Sequence, residues 1–499
     1  MQQSELISLY LQSSKTKDFA EKLSQKEIVR AKVNGLCGSS RSVFAAACAL
    51  SSSQPHLFVL QDKETAAFFF GDLEQLLQEE DTDFSVRQSV FFPESPTSQQ
   101  QTKKSDNFDV LLRTKMLQRL QQGKRLMVVT YPEALMQKVI TKQTIEKETF
   151  TISRGEQLSV DFILEFLSDN NFEYSDFVFQ PGQFSIRGGI VDVFSYTNEF
   201  PFRIEFLGDK VASLRTFEIE TQLSKSRMEK IVITPNLQQK KDNIFTISLF
   251  DSLPQDTVLW FEDISWTAEN ICKKQDLLQR ANESSSFLQE YITEKDFKES
   301  ILKFSTVEWS PSSFLNVQYQ ETFGTQPQML FNKQFDLLID QWIENYELGI
   351  QNIFSSLNEN QSARIRNIVR DSLSSQEKYR IFPEEYCKKL EKEMVTYVSF
   401  ALHEGFIDKE QKIAFYTDHQ VFNRYHRYKV DDRYKKSDSI LLKEIYDLKS
   451  GDYITHIDHG VGQFAGLEKI EINGKQQEAI KIIYKGNDIL YISIQYIKI

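Results

Sequence analysis

Between Pro181 and Glu218 the chain reads PGQFSIRGGIVDVFSYTNEFPFRIEFLGDKVASLRTFE, a pattern that leaves few folds open. Apolar residues alternate at Phe184 and Ile186, at Val191 and Val193, and at Phe202, Ile204 and Phe206, the period of half-buried strands. Gly182, Gly188, Gly189 and Gly208 fall where turns or bulges need a positive φ or no Cβ. A small, strongly twisted antiparallel module is the expectation. Arg187 and Arg203 lie in it, where guanidinium forks can be held rigidly toward the carboxylates of a protein partner. Glu205, Asp209 and Glu218 offer the competing use of those arginines, neutralisation within the module.

A chain of 499 residues is too long for one core and should divide into about three to five domains. Its composition is 40% hydrophobic and 26% charged, that of an ordinary globular protein. The sequence holds no apolar run long enough to span a membrane, and its first residues lack a basic segment leading into an apolar one, so a cytoplasmic protein without membrane partners is expected. A net charge of −12 argues against a broadly basic DNA-wrapping surface and favours protein partners. Cys37, Cys48, Cys272 and Cys387 lack the close pairs of a structural zinc site and are read as reduced.

Near the N-terminus, VNGLCGSSRSVFAAACAL has a glycine turn leading into an alanine-rich helix, the shape of a phosphate-binding loop. Gly35 and Gly38 fit that shape. Ser40 and Arg41 stand where the motif needs glycine and lysine, and Ser42 follows them. A Cβ at position 40 crowds the phosphate path, and a guanidinium does not replace a compact ammonium. No acidic cluster for magnesium follows the strand Arg125–Thr130. The alternating strands and helices up to residue 136 fit half of a parallel, helix-covered sheet, so descent from an ATP-binding fold without hydrolysis is expected.

The α/β pattern returns at 233–325, heralded by the strand IVITP, Ile231–Pro235, and including DTVLWFED. A further small α/β domain is expected over 331–430. It ends in a basic aromatic stretch with Arg424, His426, Arg427 and Lys429, which offers either phosphate contact or the start of a linker. His403, Asp418, His419 and His426 form no recognised metal pattern. Residues 431–447 read as a linker. From Leu448 to Ile499 short strand signals alternate with turns at Asn473-Gly474 and Gly486-Asn487-Asp488, with Gly460 and Gly462 also assigned to turns. A compact, curved antiparallel barrel is expected, since closure hides exposed edges. His456 and His459 lack two further ligands for a metal.

Taken together, the GLCGSSRS loop, MVVTYPEALMQKV, RGEQLSVDFILEFLSDNNFEYSD, PGQFSIRGGIVDVF and EFPFRIEFLGDKVASLRTF resemble the N-terminal half of the bacterial transcription-repair coupling factors, which is related to the repair protein UvrB. HIDHGVGQFAGLEKIE resembles that family's RNA-polymerase-interacting domain, a Tudor-like module shared with CarD-type regulators. The resemblance implies a multidomain α/β chain: a degenerate UvrB-like module derived from a P-loop fold (1–136 and 233–325), an inserted α+β adaptor (137–232), the small α/β domain, and a Tudor/CarD-like β-barrel (448–499). It implies transcription-coupled nucleotide-excision repair, with UvrA bound through Arg187, Arg203, Phe206 and Leu207. The RNA polymerase β subunit would be bound through Phe464, Gly466, Leu467 and Ile470. The segment itself is expected to be non-catalytic and free of cofactors. ATP, magnesium and double-stranded DNA belong to a translocase motor expected beyond a fragment boundary at Ile499. Two alternatives remain: a standalone CarD-like regulator on a UvrB-derived scaffold, and a weak UvrB-like ATPase.

Overall fold

The computed structural model describes residues 2–493 apart from 26, 81, 85, 96–106, 220, 238–244, 281–289, 311, 376, 425–449, 457–459, 473–474 and 485–487. The chain divides into two units, one of residues 1–147 and 237–430, the other of 148–236 and 431–499. Among the described residues no helix is long and apolar enough to cross a membrane.

The first unit is built on a seven-stranded sheet in the order Tyr319–Thr322, Arg30–Asn34, Ser305–Glu308, Val258–Phe261, His56–Val59, Met127–Thr130, Ser89–Phe91. Every pairing in it is parallel. HLFV, MVVT and VLWF carry consecutive apolar residues rather than an alternation, with only His56 and Thr130 polar, and all their residues are buried, as a parallel sheet covered on both faces requires. Within this core Trp260 Nε1 donates to His56 Nδ1 at 2.9 Å, and burial pushes the imidazole down to about 3, so it stays neutral.

A second, mixed sheet in the same unit runs Thr325–Pro327, Phe406–Asp408, Ile413–Thr417, Gln351–Ser355, Val395–Val398. Helix Phe335–Glu347 places Leu338, Ile339, Trp342 and Ile343 at helical spacing into its core. The two sheets are joined by a polar seam. Tyr10 donates its hydroxyl to Asp408 Oδ2 at 2.7 Å, and Lys15 reaches both Glu410 and the Thr322 carbonyl at 2.8 Å.

In the second unit the strand-rich insertion forms a six-stranded sheet, Ser224–Met228, Lys210–Phe217, Phe202–Leu207, Ile190–Val193, Gln183–Arg187, Glu173–Tyr174. Its pairings are antiparallel except the last. The alternating apolar residues pack with Ile163 and Leu167 of helix Val160–Asp169. The insertion differs from the sequence expectation at both ends. Strand Val139–Ile140 pairs with Thr246–Ile247 and stays with the first unit. Strand Lys230–Ile233 does not herald a return to the first unit, because it pairs antiparallel with Phe150–Ser153 and closes the insertion on itself.

At the C-terminus Tyr453–His456, Gly460–Ile472, Lys475–Ile483 and Ile489–Ser493 form an antiparallel meander. Among the described residues the first and last strands do not pair, so the expected barrel closure is not among the observed pairings. Two of the expected turns, Asn473-Gly474 and most of Gly486-Asn487-Asp488, lie outside the described residues. Gly462 is not a turn residue. It sits within a strand opposite Ile454, where a Cβ would come within 2.3 Å of Ile482 Cγ2. Gly462→Ala is therefore expected to cost about 1–3 kcal/mol by overpacking, read as a lower unfolding midpoint for the isolated C-terminal segment.

Candidate protein-docking sites and the closed loop

The register of the six-stranded sheet assembles a charged row that sequence spacing alone does not display. Ser185 lies opposite Asp192, Asp192 opposite Arg203, Arg203 opposite Arg215, and Arg215 opposite Arg227. Neighbouring positions Phe202, Ile204 and Phe206 point to the other face and are buried, which places the row on the face away from the core. Like charges directly opposite one another repel, so Arg203 beside Arg215 needs counter-charges. Asp192 and Glu205 supply them.

Asp192 is fully buried and receives both arginines expected at the site. Arg203 donates through Nε to Oδ1 at 2.8 Å and through Nη2 to Oδ2 at 2.9 Å, a bidentate fork. Its Nη1 donates to the Gln222 carbonyl at 3.1 Å, and its guanidinium lies 4.4 Å from the Phe217 ring. Arg187 pairs with the same Oδ2 and lies over Phe177. Arg215 Nη2 donates to Glu205 Oε2 at 2.6 Å. Neutralisation within the module thus holds for both named arginines, but through Asp192 and not through Glu205, Asp209 or Glu218. The side chain of Arg203 is 16% exposed and that of Arg187 41%, so Arg187 presents far more surface outward. Phe206 packs in the core and offers no surface contact, whereas Leu207, at the tip of its hairpin, is 79% exposed. Arg215 and Arg227 were not singled out from sequence. The available signal was their strand parity with Arg203.

The loop after strand Arg30–Asn34 brings Gly35, Gly38, Ser40, Arg41 and Ser42 to the end of a parallel strand and the start of helix Ser40–Ser51, the usual place for an anion. The amides of Cys37, Ser39 and Ser40 already have protein acceptors. Cys37 N donates to Thr325 Oγ1 at 2.9 Å and to Ser40 Oγ at 3.1 Å; Ser39 N donates to the Glu404 carbonyl at 3.2 Å; Ser40 N donates to the Cys37 carbonyl at 3.3 Å. Glu404 N returns a bond to Ser39 Oγ at 2.9 Å, and Thr325 N and Oγ1 both donate to the Gly35 carbonyl. Gly38 has φ +53°, and a Cβ there would lie 2.8 Å from the Gly405 carbonyl oxygen.

Arg41 turns to Glu262, with Nη1 2.9 Å from Oε1, and its Nε donates to the Leu36 carbonyl at 3.2 Å. Glu262 follows the apolar strand Val258–Phe261, and this run ending in Glu-Asp, rather than the strand Arg125–Thr130, is the one that sets an acid beside the loop. Ser42 Oγ donates to Asp72 Oδ2 at 2.8 Å and His403 N to Asp72 Oδ1 at 2.7 Å, which ties the loop's helix to the second sheet. Burial pushes the Asp72 carboxyl up to about 7, against the hydrogen bonds from Ser39, His403 and Ser42.

In the C-terminal meander Phe464 is buried, and Gly466 lies where the pairing jumps from Phe464 to Leu467. Leu467 pairs with Ile480 and Ile470 with Gln477 along the backbone; their side chains lie outside the described residues. Exposed apolar surface comes instead from Tyr453 and Val461, 78% and 62% exposed, which are diagonal neighbours on the first two strands. Among the described residues no group of three or more His, Cys, Asp or Glu is placed to hold a metal.

Two stretches match known families: residues 150–239 the UvrB interaction domain, and residues 448–499 the CarD-like/TRCF RID domain. Along nearly the whole chain, similarity extends to transcription-repair-coupling factors. That of Bacillus subtilis (strain 168) is 24% identical over 93% of this chain and 44% of its own length. That of Staphylococcus aureus (strain MSSA476) is 22% identical with the same coverage.

The chain is related to the transcription-repair coupling factors. It spans under half the length of these relatives, 44%. Relative to them, the arginine row falls within the UvrB interaction match and the Tyr453–Val461 surface within the CarD-like match.

Two outcomes follow from the buried carboxylates. Asp192→Ala leaves Arg203 largely buried beside Arg215 without its counter-charge and is expected to cost about 3–5 kcal/mol, measurable by denaturant unfolding of residues 148–236. For Asp72 the folded pKa, about 7, lies above the ordinary 3.8, so its contribution to stability is full at low pH and is lost as pH rises from about 4 to 7. Asp72→Asn does not titrate. Its melting temperature relative to wild type is expected to rise between pH 5 and pH 8, in paired thermal melts.

Proposed function

We propose that this chain is a two-contact adaptor in transcription-coupled repair, binding UvrA through the arginine-bearing face of its insertion and the RNA polymerase β subunit through its C-terminal meander. One observation carries the reading: matches to the UvrB interaction domain and to the CarD-like/TRCF RID domain occur on one chain, 93% of which is similar to a coupling factor. Arg187, Leu207 and Arg227 are the residues of the insertion best placed to meet a partner, since Arg203 is held by Asp192 and Phe206 by the core. Exposed guanidinium groups and an exposed leucine on one module suit an acidic partner surface with an apolar centre.

For polymerase the edge strand Tyr453–His456, with Tyr453 and Val461 exposed on one face, is the proposed contact, and Phe464 serves as its buried support. An edge strand presents unpaired backbone groups to a partner strand, and apolar side chains on one face set the register. The closed loop supports a scaffold role for the first unit rather than that of an ATPase. The ATP-driven displacement of polymerase implied by the resemblance is assigned to none of these residues.

Titration of UvrA and of the polymerase β subunit against the whole chain tests this. Arg187→Ala with Leu207→Ala and Arg227→Ala is expected to weaken UvrA binding at least tenfold; Arg203 still pairs with Asp192, so the variant stays folded, its unfolding midpoint lowered only by loss of the Arg187–Asp192 contact. Tyr453→Ala with Val461→Ala should weaken β-subunit binding and leave UvrA binding intact. Wild-type affinity in either variant overturns that contact, and stoichiometric ATP binding with turnover would move the assignment to the ATPase alternative.

A further inference from the structure

Three of the chain's nineteen arginines, Arg364, Arg366 and Arg370, stand within seven residues of one helix, Glu359–Ser375. Several arginines elsewhere in this acidic protein are engaged: Arg41 with Glu262, Arg87 with Glu74, Arg187 and Arg203 with Asp192, and Arg113 with backbone carbonyls. On this helix they are less engaged. Arg366 and Arg370, one turn apart, line a groove of about 380 Å³ together with Lys392 of helix Glu384–Glu393, Val395 and Tyr397. Neither Arg366 nor Lys392 forms an ion pair among the described residues, and Arg370 has only Asp371, at 3.8 Å, and Asn367 Oδ1 at 2.7 Å.

Aromatic rings hold the guanidinium groups in place. Arg366 lies 4.4 Å from the Tyr397 ring, so one face is packed while its N–H edges remain free to donate. On the other side of the helix Arg364 and Arg424 flank the Phe422 ring at 5.1 and 4.7 Å, and Arg424 is fixed by a 2.9 Å bond to Gln361. Glu391 is the opposing charge in the groove, against three cations.

We propose that the groove between helices Glu359–Ser375 and Glu384–Glu393 binds phosphates of a nucleic-acid strand, through Arg366, Arg370 and Lys392. Successive cations along the helix, interleaved with aromatic rings, match a backbone carrying repeated phosphates better than an isolated carboxylate. The overall charge of −12 confines such contact to this local face and keeps it weak and strongly salt-dependent.

Fluorescence anisotropy on the whole chain tests it, with a labelled duplex and a labelled single strand of the same sequence, each titrated from 50 to 200 mM salt. Arg366→Gln with Arg370→Gln and Lys392→Gln is expected to weaken binding at least tenfold at low salt. It should reduce the log–log salt slope by about 2.7 if the duplex is the ligand or about 2.1 if the single strand is. A charge-matched control, Lys17→Gln with Lys22→Gln and Lys124→Gln, should bind like wild type. All six side chains are exposed, so folding is checked by unchanged melting curves. No binding by wild type, equal loss in the control, or displacement of the nucleic acid by polyglutamate at equal charge would overturn the proposal.

Discussion

A carboxylate with no access to water must be neutralised where it stands, and Asp192 fixes the geometry of the insertion's working face in this way. Its two oxygens take the fork of Arg203 and the end of Arg187, and Glu205 does the same for Arg215. Without these acids the cross-strand row Arg203, Arg215, Arg227 would be a line of repelling charges on a twisted sheet. With them the guanidinium groups of Arg187, Arg203 and Arg215 are held before any partner arrives, which lowers the ordering cost of an encounter. The acids that neutralise the row are therefore part of what would make it the proposed recognition surface.

The phosphate-loop shape of the first unit follows the same principle with the opposite outcome. Backbone amides at a helix start attract an acceptor, and here the acceptors come from the chain itself: Thr325, Ser40 and the Glu404 carbonyl. Arg41, at the position where a phosphate loop carries its lysine, is bound to Glu262. The loop now serves cohesion, joining two sheets through Ser39, Ser42 and Asp72. A single substitution at Arg41 does not reopen such a site, because the Gly405 backbone occupies the space next to Gly38.

Much of the fold was legible because it depends on local periodicity. Alternation gave the strands around Phe184, Val191 and Ile204, and uniform apolar runs gave the parallel strands HLFV and MVVT. The boundary residues were less legible. Lys230–Ile233 reads equally well as a strand of either unit, and only its pairing with Phe150–Ser153 assigns it. Gly462 reads as a turn until the approach of Ile482 and Tyr484 shows why a strand there excludes a Cβ.

The sequence by itself determined which chemistry was on offer: arginines on stiff strands, a glycine loop lacking its lysine, and a C-terminal run of short strands. Tertiary structure decided how that chemistry is deployed. It placed Phe206 in the core and Leu207 in solvent, gave Arg203 to Asp192 rather than to its nearer acids in the chain, and set Glu404 against Ser39 across 365 residues. The physical reason is that propensity and periodicity act over a few residues, whereas counter-charges and hydrogen-bond acceptors are chosen by proximity in space after the sheets have paired.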